Sequence, residues 1–222
     1  VRHHCLDLTE PGAEFSVADF GVAAGEALSA IAGRGDRAVL VAGTGLYLRA
    51  LTDPMEIPGR WPACRAELEA RAEREGSSPL HAELATLDPL AASRMEPSNL
   101  RRVVRALEVV HGSGRAFSSF GPGVDTYPPV PFVQVGLRWQ RDALVRRIGE
   151  RVERMMVAGL VGEVQSLLAE PGGPSRTARQ ALGYKEIIDH LEDRCSLDEA
   201  VATIALRTRQ FAVRQERWFR RD

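Results

Sequence analysis

A five-residue apolar run, Ala38-Val39-Leu40-Val41-Ala42, stops at Gly43-Thr44-Gly45 and gives way to Leu46-Tyr47-Leu48-Arg49-Ala50-Leu51. The run has the length and β-branched content of a buried strand, and the residues after the glycines have helical character. Strand, glycine turn and helix in that order make the unit of an α/β fold, which places ligands at the C-terminal ends of its strands. A second strand-like run, Phe132-Val133-Gln134-Val135-Gly136-Leu137, lies far downstream.

Helices account for most of the remainder. Residues 3–8 allow one further short strand. Ser16-Val17-Ala18-Asp19 resembles a capping box and opens an Ala-rich helix to about Ala32. From Thr52 to Pro62 the composition turns to Pro, Gly and Trp, a boundary. Residues 63–97 read as short helices broken at Gly76, Pro79, Asp88-Pro89 and Pro97. Asn99 or Ser98 caps a helix over about 99–111, and Gly112 to Pro131 is a Gly/Pro/Ser-rich connection. Further helices are expected over about 140–158, 160–169, 177–191 and 196–220.

Composition narrows the function. Of 29 basic residues, 28 are Arg and one is Lys185, set in Gly183-Tyr184-Lys185-Glu186. A Walker-type phosphate loop needs Gly-x-x-x-x-Gly-Lys-Ser/Thr, so these 222 residues contain no intact one. No apolar run approaches the ~18 residues needed to span a membrane. Three scattered cysteines, Cys5, Cys64 and Cys195, form neither a metal pattern nor an even disulfide set, and a reduced, cytoplasmic setting is the simpler expectation. The net charge of −1 hides an asymmetry: residues 1–100 hold 9 basic against 15 acidic side chains, and 101–222 hold 20 against 15. Such a split suits either an anionic partner for the second half or a solvated helical face.

Several constellations could carry chemistry. Gly43-Thr44-Gly45 lets a backbone approach a ligand, beside the N–H groups of a helix N-terminus and the Thr44 hydroxyl; a purely structural turn fits equally. In Arg101-Arg102-Val103-Val104-Arg105-Ala106-Leu107, apolar Val103, Leu107 and Val110 share one face, and Arg101 and Arg105 lie a turn apart on another. Guanidiniums so placed suit phosphate oxygens, or simply a surface helix. Arg147, Arg151 and Arg154 repeat at helical spacing with Glu150 and Glu153 between them, which also suits intrahelical ion pairs. Gly183, read as interior to a helix, suggests close approach of another backbone. The tail from Thr208 to Arg220 interleaves Arg with Phe211, Trp218 and Phe219, a mixture suited to nucleic-acid stacking or to core anchoring. His3 and His4 are adjacent and would point to opposite faces of a strand, so a histidine metal site is not expected.

Six segments occur in order: His3-His4-x-x-Asp7, Phe15 to Phe20, Gly43-Thr44-Gly45-Leu46-Tyr47, Arg101-Arg102-x-x-Arg105-Ala106-Leu107-Glu108, Ala178-Arg179-Gln180-Ala181-x-Gly183-Tyr184-Lys185-Glu186, and Thr208-Arg209-Gln210-x-Ala212-x-Arg214-Gln215-x-x-Trp218-Phe219-Arg220. Together they resemble the bacterial tRNA dimethylallyltransferases, from end to end of the chain. That resemblance implies transfer of a dimethylallyl group from dimethylallyl diphosphate to N6 of adenosine 37 in the tRNA anticodon stem-loop. It implies Mg2+, ATP-binding ancestry, and an α/β core of phosphate-loop-kinase type with a parallel sheet, a helical insertion and a helix-rich C-terminal half. The core is then expected over 1–54 and 98–222, without its N-terminal phosphate-loop unit, and the insertion over 55–97. By resemblance Thr44 lies beside the target adenine. Arg65, Arg101, Arg102, Arg105, Gln180, Gly183, Tyr184, Lys185, Arg214, Gln215, Trp218 and Arg220 face tRNA, and Arg151 lies near the diphosphate.

The chain departs from the family pattern at several points. The phosphate loop and the segment bearing the aspartate general base should precede His3, and Asp7 belongs to a different motif. Ala42 replaces the first Gly of the usual Gly-Gly-Thr-Gly, Val213 stands where Lys is frequent, and Arg217 where Thr is frequent. The expectation is a cytoplasmic, monomeric transferase sequence that is inactive as these 222 residues alone. A non-catalytic tRNA-binding module and a nucleotide-kinase relative are the alternatives.

Overall fold

The computed structural model describes residues 1–53, 56–121, 129 and 132–220. The described helices, in chain order, are α1 (Val17–Gly33), α2 (Gly45–Thr52), α3 (Pro62–Glu75), α4 (Ser77–Leu87), α5 (Pro89–Ser93) and α6 (Leu100–Ser113), then α7 (Arg141–Val157), α8 (Leu160–Ala169), α9 (Arg176–Arg179), α10 (Tyr184–Leu191) and α11 (Leu197–Phe219). A 3-10 turn covers Phe117–Phe120. The chain divides into two units, one formed by Val1–Leu51 with Pro131–Asp222 and the other by Thr52–Val130.

In the Thr52–Val130 unit, apolar residues three and four apart turn each helix toward a common core. Leu68 and Ala72 from α3, Leu80 and Leu84 from α4, Ala91 and Ala92 from α5, and Val103, Val104, Ala106 and Leu107 from α6 form that core. Each fully buried leucine contributes roughly 1.5–3 kcal/mol relative to exposure. The unit reaches well past residue 97 because α6 lays its apolar face into the core shared by α3 and α4. Pro79 does not break α4: it sits in the first turn, where its missing N–H is not needed. Asn99 caps α6, its Oδ1 accepting from the Arg102 amide at 3.4 Å. Trp61 lies against α6 at Gly112, where a Cβ would fall 2.1 Å from Trp61 Cδ2.

The other unit has a separate core in its second half. Val152 of α7, Leu160 and Val164 of α8, Ile187 and Ile188 of α10, and Ala200 and Ile204 of α11 pack together. The capping boxes of Ser16 with Asp19 and Ser196 with Glu199 start α1 and α11. The single helix expected over 177–191 is broken instead. Gly183, at φ +99°, turns the chain between α9 and α10, a conformation that L side chains rarely adopt. Backbone conformation rather than close approach accounts for this glycine, since among the described residues a Cβ would meet nothing nearer than 3.8 Å.

The expected parallel sheet is not formed among the described residues, which contain no strand. A parallel strand needs a hydrogen-bonding neighbour and cover on both faces, and neither apolar run has them here. Val39, Val41, Val133 and Leu137 are 86%, 94%, 93% and 91% exposed. Residues 3–8 are not a strand either: Cys5 and Asp7 have φ of 60° and 52°, in the left-handed region.

Candidate functional site

The Gly43-Thr44-Gly45 turn is built against the C-terminal end of α11. The Thr44 carbonyl accepts from the amides of Tyr47 at 3.0 Å and Leu48 at 3.3 Å, which starts α2. The Gly43 carbonyl accepts from Gln215 Nε2 at 2.6 Å, across 172 residues of sequence. Gly45 is buried beneath Trp218: a Cβ there would fall 1.8 Å from the indole Nε1, so only glycine admits the ring. That Nε1 is buried and has no hydrogen-bond partner among the described residues. Thr44 itself is exposed between these two fixed glycines. On the next turn of α2, Tyr47 meets Phe20 of α1 with ring centroids 5.0 Å apart, and Arg49 is buried at 1% exposure.

The end of α11 thus has two sides. Gln215 and Trp218 turn inward to the glycine turn, and Arg214, Arg217 and Arg220 are exposed. Glu216 accepts from Arg220 at 2.7 Å and pairs with Arg138, just beyond the second apolar run, at 3.5 Å.

The segment Gln180 to Lys185 lies elsewhere in the same unit. Gln180 is exposed at the end of α9. The Tyr184 hydroxyl donates to Glu163, and that bond, with burial, pushes the phenol up to about 12. Glu186 is 2% exposed; it accepts from the Gly183 amide at 2.8 Å and from the Arg207 guanidinium. Lys185 is half-buried, and Arg151 is exposed on α7. One turn before Arg151, Arg147 stacks its guanidinium 4.3 Å from the Trp139 ring.

In the Thr52–Val130 unit the arginines divide into two kinds. Arg101 and Arg102 are exposed at the start of α6. Arg65 and Arg105 instead converge on Glu108, which is 1% exposed. Arg65 Nη1 reaches Oε2 at 3.1 Å and Arg105 Nη1 reaches Oε1 at 3.0 Å. The Trp61 amide donates to Oε1 at 2.9 Å, and Arg105 Nη2 donates to the carbonyls of Pro58 and Gly59, both at 2.9 Å. Burial pushes the Glu108 carboxyl up, but the Trp61 amide and the two guanidiniums outweigh it and hold the carboxyl below its ordinary value. These two arginines are held as a structural clamp on the loop before α3.

Of the residues singled out in sequence, the structure therefore brings Thr44, Gln215 and Trp218 together in one unit, and Arg65 and Arg105 together in the other. Glu108 and Glu186, the hubs of the two buried networks, close two of the six segments but were assigned no role in sequence. The signal for Glu108 was a charged residue four positions after buried Val104, three after Arg105. Among the described residues no three His, Cys, Asp or Glu side chains come together to hold a metal ion.

The IPP transferase family matches residues 1–222. A tRNA dimethylallyltransferase of Desulforudis audaxviator is 44% identical over the whole chain and 72% of its own length. One of Streptomyces coelicolor is 45% identical over the whole chain and 70% of its length. Among solved structures, the full-length tRNA isopentenylpyrophosphate transferase of Bacillus halodurans superposes with a TM-score of 0.65 at 36% identity, over all of this chain and 69% of that one. A eukaryotic dimethylallyltransferase acting on tRNA shares the fold, with a TM-score of 0.72 at 22% identity over 98% of this chain and 56% of its own. Matched along its full extent, the chain belongs to the IPP transferase family.

Proposed function

We propose that this sequence serves transfer of a dimethylallyl group from dimethylallyl diphosphate to N6 of adenosine 37 in a tRNA anticodon stem-loop. The observation that carries this reading is the meeting of the Thr44 turn with the end of α11, whose outer side is lined by exposed arginines. N6 of adenine is a weak nucleophile, so the acceptor base must leave its stack and be held at the electrophilic carbon. As N6 bonds to C1 of the dimethylallyl group, the C–O bond breaks, diphosphate leaves with the electron pair, and N6 passes its proton to a general base. Thr44 would stand beside the adenine, and Arg151 would face the charge gathering on diphosphate. Arg101, Arg102, Arg214 and Arg220 would take backbone phosphates, with Gln180 and Lys185.

Magnesium belongs to this reading through the resemblance alone. The described residues offer it no carboxylate or histidine cluster, and no step above is routed through it. The parallel sheet is also part of the proposal: the runs 38–42 and 132–137 would become strands beside neighbours that the described residues do not supply. The relatives are longer than the matched region, which the chain covers to 72% and 70% of their lengths. No described helix is long and apolar enough to cross a membrane; action on tRNA as a monomer in the cytoplasm completes the reading.

The test is prenyl transfer from labelled dimethylallyl diphosphate to an anticodon stem-loop, with N6-dimethylallyladenosine identified by mass spectrometry. The intact enzyme should form it. The 222-residue chain alone, which has no Gly-x-x-x-x-Gly-Lys-Ser/Thr, should bind the stem-loop without transfer. Absence of product from the intact enzyme would overturn the reading, and transfer by the 222 residues alone would overturn the second half of it.

A further inference from the structure

The end of α11 does two things at once, and its inward side has no part in the role assigned to its outward side. Gln215 Nε2 donates to the Gly43 carbonyl at 2.6 Å, and Trp218 fills the space that any side chain at position 45 would occupy. Both are spent on the Gly-Thr-Gly turn and lie one helical turn apart, on the same face. We infer that Gln215 and Trp218 are positioning residues for Thr44: they clamp the turn from behind and fix the threonine at its crest, rather than contacting RNA themselves. The proposal rests on the reading of Thr44 as a residue of the reaction centre.

Three observations lead to it. The carbonyl of Gly43 and the buried face of Gly45 flank Thr44 on both sides, so the clamp holds both neighbours of the exposed threonine. The same helix end is tied to the second apolar run through Glu216 and Arg138 at 3.5 Å, so it spans the ends of both runs. Arg214 and Arg217 flank Gln215 and Trp218 in sequence and are exposed. Any ligand pulling on those arginines therefore pulls on the helix that holds the turn. Occupancy of the arginines and the placement of Thr44 become coupled through a rigid element.

The experiment uses the intact enzyme and Gln215→Met, which keeps the length of the side chain and removes its polar amide. Amide hydrogen exchange should quicken roughly tenfold at Tyr47 and Leu48, whose amides donate to the Thr44 carbonyl, the scale of one lost hydrogen bond, with α8 and α10 unchanged. The turnover number should fall roughly as far, while KM for the stem-loop stays within about twofold of wild type. Gly45→Ala should be similarly impaired and partly rescued by Trp218→Leu, which withdraws the ring from the new methyl group. Unchanged exchange at Tyr47 and Leu48 overturns the clamp, as does a raised KM with unchanged turnover, the signature of an RNA contact. Faster exchange with intact turnover overturns the positioning role; Thr44→Val at full turnover then traces that failure to the reading of Thr44, and an impaired Thr44→Val traces it to the clamp.

Discussion

Replacing Glu108 by Ala removes the acceptor for two guanidiniums and one amide in a single step. Arg65 and Arg105 keep 25% and 27% of their side chains exposed, so water recovers part of each, and each is expected to lose only about 0.5–1 kcal/mol. The Trp61 amide loses a bond to a charged acceptor worth about 1.5–3 kcal/mol. Together these give about 3 kcal/mol, the lower end of what breaking a buried ion pair costs. With a urea dependence of about 2 kcal/mol per molar, the midpoint should fall by about 1.5 M, read by far-UV circular dichroism and by the fluorescence of Trp61 with Trp139 and Trp218 replaced by Phe. Glu108→Gln retains an acceptor for the Trp61 amide and should lose about half as much. The carboxyl is held below its ordinary value when folded, so its charge stabilises above the unfolded pKa of about 4.3 and ceases to do so as pH falls through the lower folded value. The difference between wild type and Glu108→Gln should accordingly be flat from about pH 5 upward and shrink in acid. A Glu108→Ala variant within about 0.5 kcal/mol of wild type would refute the clamp reasoning.

Other outcomes follow from the same contacts. Asp88, 2% exposed, accepts from the amides of Ala91 at 3.0 Å and Ser118 at 2.7 Å and from the Ser118 hydroxyl at 2.8 Å; burial raises its carboxyl but these bonds lower it further. Asp88→Asn should therefore destabilise above about pH 4 and converge with wild type below it in pH-dependent thermal melts. Replacing Arg101 and Arg102 together by Ala should weaken stem-loop binding and flatten its log–log salt dependence by about 1–2, whereas Arg105→Ala should lower the melting temperature and leave the slope unchanged. Gly183→Ala, forced to φ +99°, should cost about 1–3 kcal/mol in urea unfolding.

What could be read in the sequence and what could not divides along physical lines. The capping box at Ser16 and the apolar stripe of Val103 and Leu107 are local patterns, and α1 and α6 form where those patterns lie. The runs 38–42 and 132–137 have strand composition, but a strand exists only beside a partner, which composition cannot supply. The break at Gly183 depends on a buried carboxylate three residues later capping the turn, and glycine alone did not distinguish a bend from a close contact. At the site, resemblance named Thr44, Gln215 and Trp218 separately. Their contact spans 172 residues, and no spacing rule reaches that far. Glu108 closes the segment that begins at Arg101, but its role was not legible there, because a charge at an apolar position reads as an interruption until its two arginines are seen around it.

The order in which the chain is made gives the α11 clamp a further consequence. The Thr52–Val130 unit is continuous in sequence and lies between the two pieces of the other unit. Its contacts are local and helical, so it can fold within milliseconds of emerging. Synthesis at about 5–20 residues per second takes roughly 5–20 s more to reach α11. Through that interval Gly43, Thr44 and Gly45 have been made, and Gln215 and Trp218 have not. The turn that carries Thr44 acquires its support only when α11 docks, so this site is completed well after the helical unit has folded. Premature termination before Gln215 would leave the helical unit folded and the threonine unfixed.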